Sequence, residues 1–233
     1  MLRSTAELAG LAIHATDGNI GTLTNVYFDD VQWCARYFVV DTGHWLPGRL
    51  VLVSPAAVKS VDLEGRTLNV QLTKEQVEKS PGIESHEPVS RQHEQRVAKY
   101  YGWPVYWPAE GALGPDADDQ ITGDAHLRSA SEVQGYYVHA KDGDLGHVAD
   151  FLIDDALWEI RYLAVDTRKW LPGKKVLVDP RATESVDWAK STVHIRLTKD
   201  ELEHSPTYDA SGTSEAADKA HLEQFKRWPT YWY

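Results

Sequence analysis

The chain has 233 residues, a length sufficient for two domains, and its 24 basic against 35 acidic side chains give a formal net charge of −11. This balance argues against general nucleic-acid binding and against adhesion to anionic lipid, because both ligands are bound by cationic surface. Apolar residues make up 42% of the chain, which contains 9 Trp, so we expect packed cores rather than disorder.

The single cysteine, Cys34, excludes an internal disulfide and a cysteine-based metal cluster. The first residues contain no apolar run long enough for a signal peptide or a membrane-spanning segment. We therefore expect a cytoplasmic protein with no membrane span.

The first 81 residues predict short β-strands separated by turns. In chain order, the predicted elements are an apolar run at 11–15, a turn at 17–19, a strand at 20–28, a break at Asp29-Asp30, a strand at 36–41, a turn at 46–48, a strand at 50–53, and a hairpin formed by 58–63 and 67–72. Thr73 as N-cap with Gln76 at N3 predicts a short helix that stops near Ser80-Pro81. Strands so short and so closely spaced favour a small barrel or rolled sheet.

A tail and a linker follow this β region. Residues 91–101 are polar with a weak helical stripe and lead into the aromatic segment 103–107. Residues 108–125 are rich in Pro, Gly, Ala and Asp and contain no Lys or Arg, which is typical of a flexible linker.

The sequence matches itself without a gap when it is shifted by 125 positions, and about 37 of the 80 positions in 2–81 are identical in 127–206. We therefore predict a mainly β fold of two tandem small barrels with short helices and aromatic C-terminal tails, in approximate two-fold symmetry. The predicted divisions are barrel 1 at 1–81, helical and aromatic tail 1 at 82–107, the linker at 108–125, barrel 2 at 126–206, and tail 2 at 207–233.

Most of the tryptophans belong to the repeat. Eight of the nine form matched pairs, which are Trp33/Trp158, Trp45/Trp170, Trp103/Trp228 and Trp107/Trp232. The two tryptophans of each pair are expected to have the same structural or binding role in their respective copies.

The ordered series of retained residues resembles the PRC-barrel family. The features that carry the resemblance, present in both copies, are Leu2-Arg3-Ser4, Gly10, Asp17-Gly18 with Gly21, Asp29-Asp30, the strand 36–42, Trp45, and the strand 50–53 followed by Pro55. The resemblance covers about 80 residues of each half.

The resemblance implies a small β-barrel that serves as a non-enzymatic binding and assembly module of the adaptor type. The implied barrel is similar to the cytoplasmic domain of the photosynthetic reaction-centre H subunit and to the C-terminal domain of a ribosome maturation factor. This similarity suggests a role in photosynthesis or stress response. The alternative is a small-ligand-binding protein or an enzyme with a site at the seam between the barrels, where pockets tend to form.

The sequence predicts no catalytic residue, no metal and no cofactor. The pairs Asp29-Asp30 and Asp154-Asp155 precede turns, where aspartates usually cap backbone amides. Asp41-Thr42 favours an ion pair with Arg36 or a hydrogen-bonded turn. Of the ten histidines only His14/His139 is retained in both copies, and no metal-binding spacing occurs.

Two loops and two tails are the candidate surfaces for protein contact. The segment 168–175 is cationic, whereas its counterpart 43–50 carries one fixed charge. A docked Trp-Pro-x-Tyr-Trp tail buries a large area, so we expect packing on a barrel of the same chain or of a second copy. The candidate residues are Trp45, Trp170, Lys169, Lys174, Lys175, Trp103, Trp107, Trp228 and Trp232. The expected partner is an unidentified protein, or a second copy of the chain in a homodimer.

Overall fold

A computed structural model describes residues 1–83, 91–105, 127–167, 174–203 and 208. Within these residues the fold is mainly β, as predicted. The chain divides into two compact units. The first-repeat unit is Glu7–Ser129, and the second-repeat unit combines Met1–Ala6 with Ala130–Tyr233. None of the helices in the described ranges is both long and apolar enough to cross a membrane.

The described elements of the first repeat are, in chain order, β1 (Leu2–Ser4), α1 (Thr5–Leu8), β2 (Ala12–Ala15), β3 (Gly18–Asp29), β4 (Cys34–Asp41), β5 (Leu50–Val53), β6 (Val58–Asp62), β7 (Thr67–Val70), α2 (Lys74–Lys79), β8 (Gly82–Ile83) and α3 (Arg91–Tyr101). Those of the second repeat are β9 (Leu127–Ser129), α4 (Ala130–Val133), β10 (Tyr137–Ala140), β11 (Gly143–Asp154), β12 (Ile160–Asp166), β13 (Lys175–Val178), β14 (Thr183–Asp187), β15 (Thr192–Ile195) and α5 (Lys199–Glu203).

Each unit contains its own sheet, and the two sheets share one strand order. The hydrogen-bonded order is β6-β7-β2-β3-β4-β5-β8 in the first-repeat unit and β14-β15-β10-β11-β12-β13 in the second-repeat unit. β2 pairs with β7 in parallel, as β10 does with β15, whereas β3 and β4 are antiparallel, as are β11 and β12. Two copies of one sequence pattern therefore give two copies of one topology.

The short strands β1 and β9 are exchanged between the repeats. β3 and β11 are each 12 residues long, and β2 and β10 pair only with their first halves. The second half of β11 pairs with β1, where Leu2 lies opposite Asp154. The second half of β3 pairs with β9, where Leu127 lies opposite Asp29. The same edge of each long strand is thus completed by a Leu-Arg-Ser strand from the other repeat.

This exchange changes the expected division of the chain. Residues 1–6, expected in barrel 1, lie in the second-repeat unit, and residues 127–129, expected in barrel 2, lie in the first-repeat unit. The physical reason is that the backbone N–H and C=O groups of a short strand need partners, and these strands find them on the long strand of the other repeat.

The turn residues predicted from the sequence position the equivalent helices α2 and α5. Thr73 is the N-cap of α2 and forms the predicted reciprocal pair of bonds with Gln76. The Asp17 carboxylate accepts the Lys74 N–H at 2.8 Å, and the equivalent Asp142 accepts the N–H of the first residue of α5 at 2.9 Å. The Asp-Gly turn therefore caps a helix from a distance of 57 residues in the sequence.

β4 is buried on both faces. Phe38 and Val40 are fully buried on one face, and the alternation of a strand places Tyr37 and Val39 on the other. Tyr37 and Val39 form a cluster with buried Val97 of α3, so this helix covers the outer face of the sheet. The predicted helix at 91–101 is confirmed with the same bounds.

We predict that Gly21→Ala and Gly146→Ala each lower the free energy of unfolding by about 2–4 kcal/mol, as measured by urea denaturation. The two glycines have φ of +143° and +156°, and an added Cβ would collide with the backbone carbonyl of Asp41 or Asp166. Gly43 has φ +58° but open space around it, so Gly43→Asn is the control and should cost less than about 1 kcal/mol. Equal losses in all three variants would contradict the steric explanation.

Candidate functional site

The loop between β4 and β5, residues 43–48, is closed at its base by Thr42. The Thr42 N–H donates to the Arg49 carbonyl at 3.2 Å, and the Thr42 hydroxyl lies 2.8 Å from the same oxygen and 2.7 Å from the Leu46 carbonyl oxygen. Thr42 is 2% exposed, so these bonds are shielded from water. The loop therefore projects from a fixed neck, and we call residues 43–48 the aromatic loop.

Trp45 lies half-buried in the aromatic loop beneath a lysine of α2. The Lys74 ammonium lies 5.4 Å from the centroid of the Trp45 ring, which is cation–π distance. The backbone of Lys74 is held by Asp17, so the turn between β2 and β3 and the start of α2 together position the ring. His44 and Pro47 are exposed on either side of it.

The second-repeat unit has the same neck. The Thr167 hydroxyl donates to the Lys174 carbonyl at 2.9 Å, and Thr167 is fully buried. Lys174 is exposed, and the half-buried Lys175 extends its ammonium to 5.9 Å from the centroid of the Tyr208 ring. The candidate residues Lys169 and Trp170 lie outside the described residues.

The described part of the first tail packs within its own unit. Gly102, with φ +71°, ends α3, and the Trp103 N–H donates to the Ala98 carbonyl at 2.9 Å in a Schellman-type cap. The Trp103 ring stacks on Tyr101 at a centroid distance of 4.2 Å and joins the cluster under α3. Trp103 therefore has a packing role. The other candidate tail residues lie outside the described part of the chain, namely Trp107, Trp228 and Trp232.

The turns after the long strands carry the first retained tryptophan pair. The Asp29 carboxylate accepts the N–H groups of Val31 and Gln32 at 2.9 and 2.7 Å, which confirms the predicted capping role. Trp33 and Trp158 have φ of 53° and 58°, a left-handed conformation that is rare for a bulky residue. The same backbone requirement is met by the same residue type in both units.

The other aspartates singled out in the sequence also make structural contacts. The Asp41 carboxylate accepts the Gly43 N–H at 2.8 Å, so the hydrogen-bonded turn is the alternative that the structure supports there. The Arg36 guanidinium instead lies 3.9 Å from the carboxylate of Asp29. Among the described residues, no group of three or more His, Cys, Asp or Glu side chains could hold a metal ion.

The role of the Leu-Arg-Ser motif was missed by sequence reasoning. The Arg3 guanidinium contacts the Asp155 carboxylate at 2.9 Å, and in the other unit Arg128 contacts Asp30 at 2.8 Å. The second aspartate of each Asp-Asp pair thus holds the arginine of an exchanged strand. The signal that could have revealed this is the retention of an arginine and of an aspartate pair at matching positions of both copies.

The family comparison agrees with this architecture. The family model of the PRC-barrel domain matches residues 3–77. The first repeat contains a PRC-barrel domain. Because the match to the PRC-barrel domain starts at Arg3, it includes residues that lie in the second-repeat unit, and the equivalent strand of the first-repeat unit is Leu127–Ser129. A PRC-barrel domain suggests a binding or assembly module. No curated protein matches the chain.

We predict that Trp103→Ala lowers the free energy of unfolding by about 2–4 kcal/mol, because it removes a stacked aromatic ring from the cluster under α3. Val105→Ala is the matched control, since Val105 is 49% exposed and should cost less than about 0.5 kcal/mol. Urea denaturation of both variants measures the difference. A small loss in the Trp103 variant would show that the tail packs without stabilising the unit.

The stability of the folded chain is expected to depend on pH through His93. Burial of His93 on α3 lowers its pKa below the usual value of 6.5, and the nearby Arg96 guanidinium lowers it further. Between the two pKa values the unfolded chain binds this proton and the folded chain does not, so this contribution to stability is complete above pH 6.5 and is lost as the pH falls. The melting temperature of the parent should therefore drop more between pH 7.5 and 5.5 than that of His93→Gln. Identical drops would contradict a role for His93.

Proposed function

We propose that this protein is a non-enzymatic adaptor that binds other proteins through two PRC-barrel repeats. The family match covers the first repeat, and the proposal extends it to the second because the two repeats share about 37 of 80 residues and one strand order. The resemblance to the reaction-centre H subunit domain extends the proposal to a setting in photosynthesis or stress response.

The observation that carries the proposal is that the neck and the Trp-Leu-Pro-Gly part of the loop are retained, while the two residues before this tryptophan differ in charge. Thr42 and Thr167 bond the carbonyl of the residue seven positions later in both units. Between these necks, residues 43–48 carry no Lys or Arg, whereas 168–173 contain Arg168 and Lys169. A fixed scaffold that presents loops of different chemistry is typical of binding modules.

The contacts of the candidate aspartates support the proposal that the protein is not an enzyme. Asp29 and Asp41 accept backbone N–H groups in turns, and Asp30 and Asp155 hold arginines of exchanged strands. Carboxylates engaged in this way stabilise local structure and are poorly placed to exchange protons with a substrate.

The proposal is tested by affinity capture with the immobilised full chain from a lysate of the source organism. We predict that one protein partner is recovered by the parent and is reduced at least about tenfold with Trp45→Ala, since a central aromatic residue commonly contributes more than 1.4 kcal/mol to an interface. The readout is quantitative mass spectrometry of the bound fraction, with the melting temperature of each variant checked in parallel.

Val31→Ala is the control, because Val31 is 65% exposed and lies outside the aromatic loop. It should retain the partner at the parent level. Equal capture by the Trp45 and Val31 variants would exclude the aromatic loop as the contact surface. A small molecule that raises the melting temperature at micromolar concentration, with no protein partner, would instead support the alternative of a ligand-binding protein or enzyme.

A further inference from the structure

A buried carboxylate receives the start of the chain in the second-repeat unit. Asp150, on β11, is 5% exposed. Its two oxygens accept the Ser4 hydroxyl at 2.6 Å and the Thr5 hydroxyl at 2.6 Å, together with the Ala6 N–H at 3.3 Å. Hydrogen bonds to a buried charge are strong, and removing one donor leaves part of the charge unsatisfied.

The Thr5 hydroxyl has a second partner. The side-chain amide of Gln134 donates to the Thr5 oxygen at 3.1 Å, while Thr5 donates its own proton to Asp150. A hydroxyl offers one donor and two acceptor sites, so this position uses both capacities of a threonine or serine. An alanine at this place would satisfy neither neighbour.

The equivalent contact in the first-repeat unit is built from different residues. Shifted by 125 positions, Thr5 corresponds to Ala130, Asp150 to Asn25, and Gln134 to Ala9. There the Asn25 amide donates to the Ser129 hydroxyl at 2.8 Å. The residue that follows Ser129 is Ala130, which belongs to the second-repeat unit and has a methyl group where Thr5 has a hydroxyl. The three residues that contact one another in the second-repeat unit are therefore all different at the equivalent positions of the other copy.

We propose that the second-repeat unit contains a peptide-binding groove, formed by the second half of β11 with Asp150, Gln134 and Asp155, that selects a Leu-Arg-Ser-Thr strand over Leu-Arg-Ser-Ala. Its occupant is residues 2–6 of this chain. The mode of binding is the addition of a strand to a sheet edge, in which the backbone supplies affinity and the side chains supply selectivity.

Different residues of the groove contact different side chains of residues 2–6. Leu2 packs against the outer-face cluster that contains Leu152 and Tyr162, and Arg3 meets the carboxylate of Asp155. These contacts have direct counterparts in the other unit, so they cannot distinguish the two strands. Among the side chains of residues 2–5, only the Thr5 hydroxyl has no counterpart in Leu-Arg-Ser-Ala, so the choice between these two segments depends on it.

This inference does not rest on the proposed adaptor function, because it concerns a different surface from the aromatic loop. It is tested with the full chain carrying Arg3→Asp, which places a carboxylate beside Asp155 and so weakens the docking of the resident strand. The probe is a synthetic peptide with the sequence of residues 1–8, labelled at its carboxyl end. The comparison peptides are its Thr5→Ala form and the sequence of residues 126–133.

Fluorescence anisotropy should show the first peptide binding at least about tenfold more tightly than either comparison peptide, the factor that corresponds to the loss of one hydrogen bond to a charged group. In a chain that carries both Arg3→Asp and Asp150→Asn, this ratio should fall to about one. Equal affinities for the three peptides, or binding of none of them, would overturn the proposal. If the Arg3→Asp chain does not fold, Arg3→Ala removes the anchoring contact without adding a charge and serves instead.

The same selectivity is tested within one chain by melting temperatures. Thr5→Ala should lower the melting temperature of the parent by several degrees and should have a much smaller effect in an Asp150→Asn background, because the two side chains act as a pair. Ala130→Ser, at the residue that follows the other exchanged strand, is the matched control. Additive shifts of the melting temperature for Thr5→Ala and Asp150→Asn would show that the Asp150 carboxylate does not recognise the Thr5 hydroxyl.

Discussion

The pairing of a three-residue strand with the far half of a twelve-residue strand is the interaction on which both units depend. β2 and β10 pair with only the first halves of β3 and β11. The backbone N–H and C=O groups along the same edge of the second halves therefore need another strand as partner. β9 and β1 complete these edges. The same strands also bring Leu127 and Leu2 to the apolar clusters on the outer faces of the sheets. Each unit is thus finished by residues that come from the other repeat.

Much of the fold could be predicted from the sequence because it is encoded locally. The capping box at Thr73, the strand that ends at Asp41 and the helix at 91–101 all follow from short-range patterns and are confirmed. The strand exchange could not be predicted, because Leu2-Arg3-Ser4 and Leu127-Arg128-Ser129 are identical. A periodicity shows that a segment is a strand but does not name its partner. The two segments differ only in the side chains outside the motif.

The candidate site likewise combines features that short stretches of sequence predict with contacts between residues far apart in the chain. Trp45 could be chosen from the sequence because it is retained in a turn between strands, but its contact with Lys74 depends on a helix 29 residues further along the chain. Trp103 could be chosen for the same reason, yet the structure places it in a packed cluster. Retention in both copies identified positions with a repeated job and did not separate contact with a partner from packing.

The exchange of strands also constrains how this chain can change over generations. Duplicated domains are ordinarily free to be lost, shuffled or fused elsewhere, because each copy carries all the residues of its own fold. Here Met1–Ala6 belongs to the second-repeat unit and the last residues of the first-repeat unit end at Ser129. A recombination event at the repeat boundary would therefore separate each long strand from the segment that completes it. Each repeat still carries one Leu-Arg-Ser segment, so a single repeat would have to pair this segment with its own long strand or with that of a second copy.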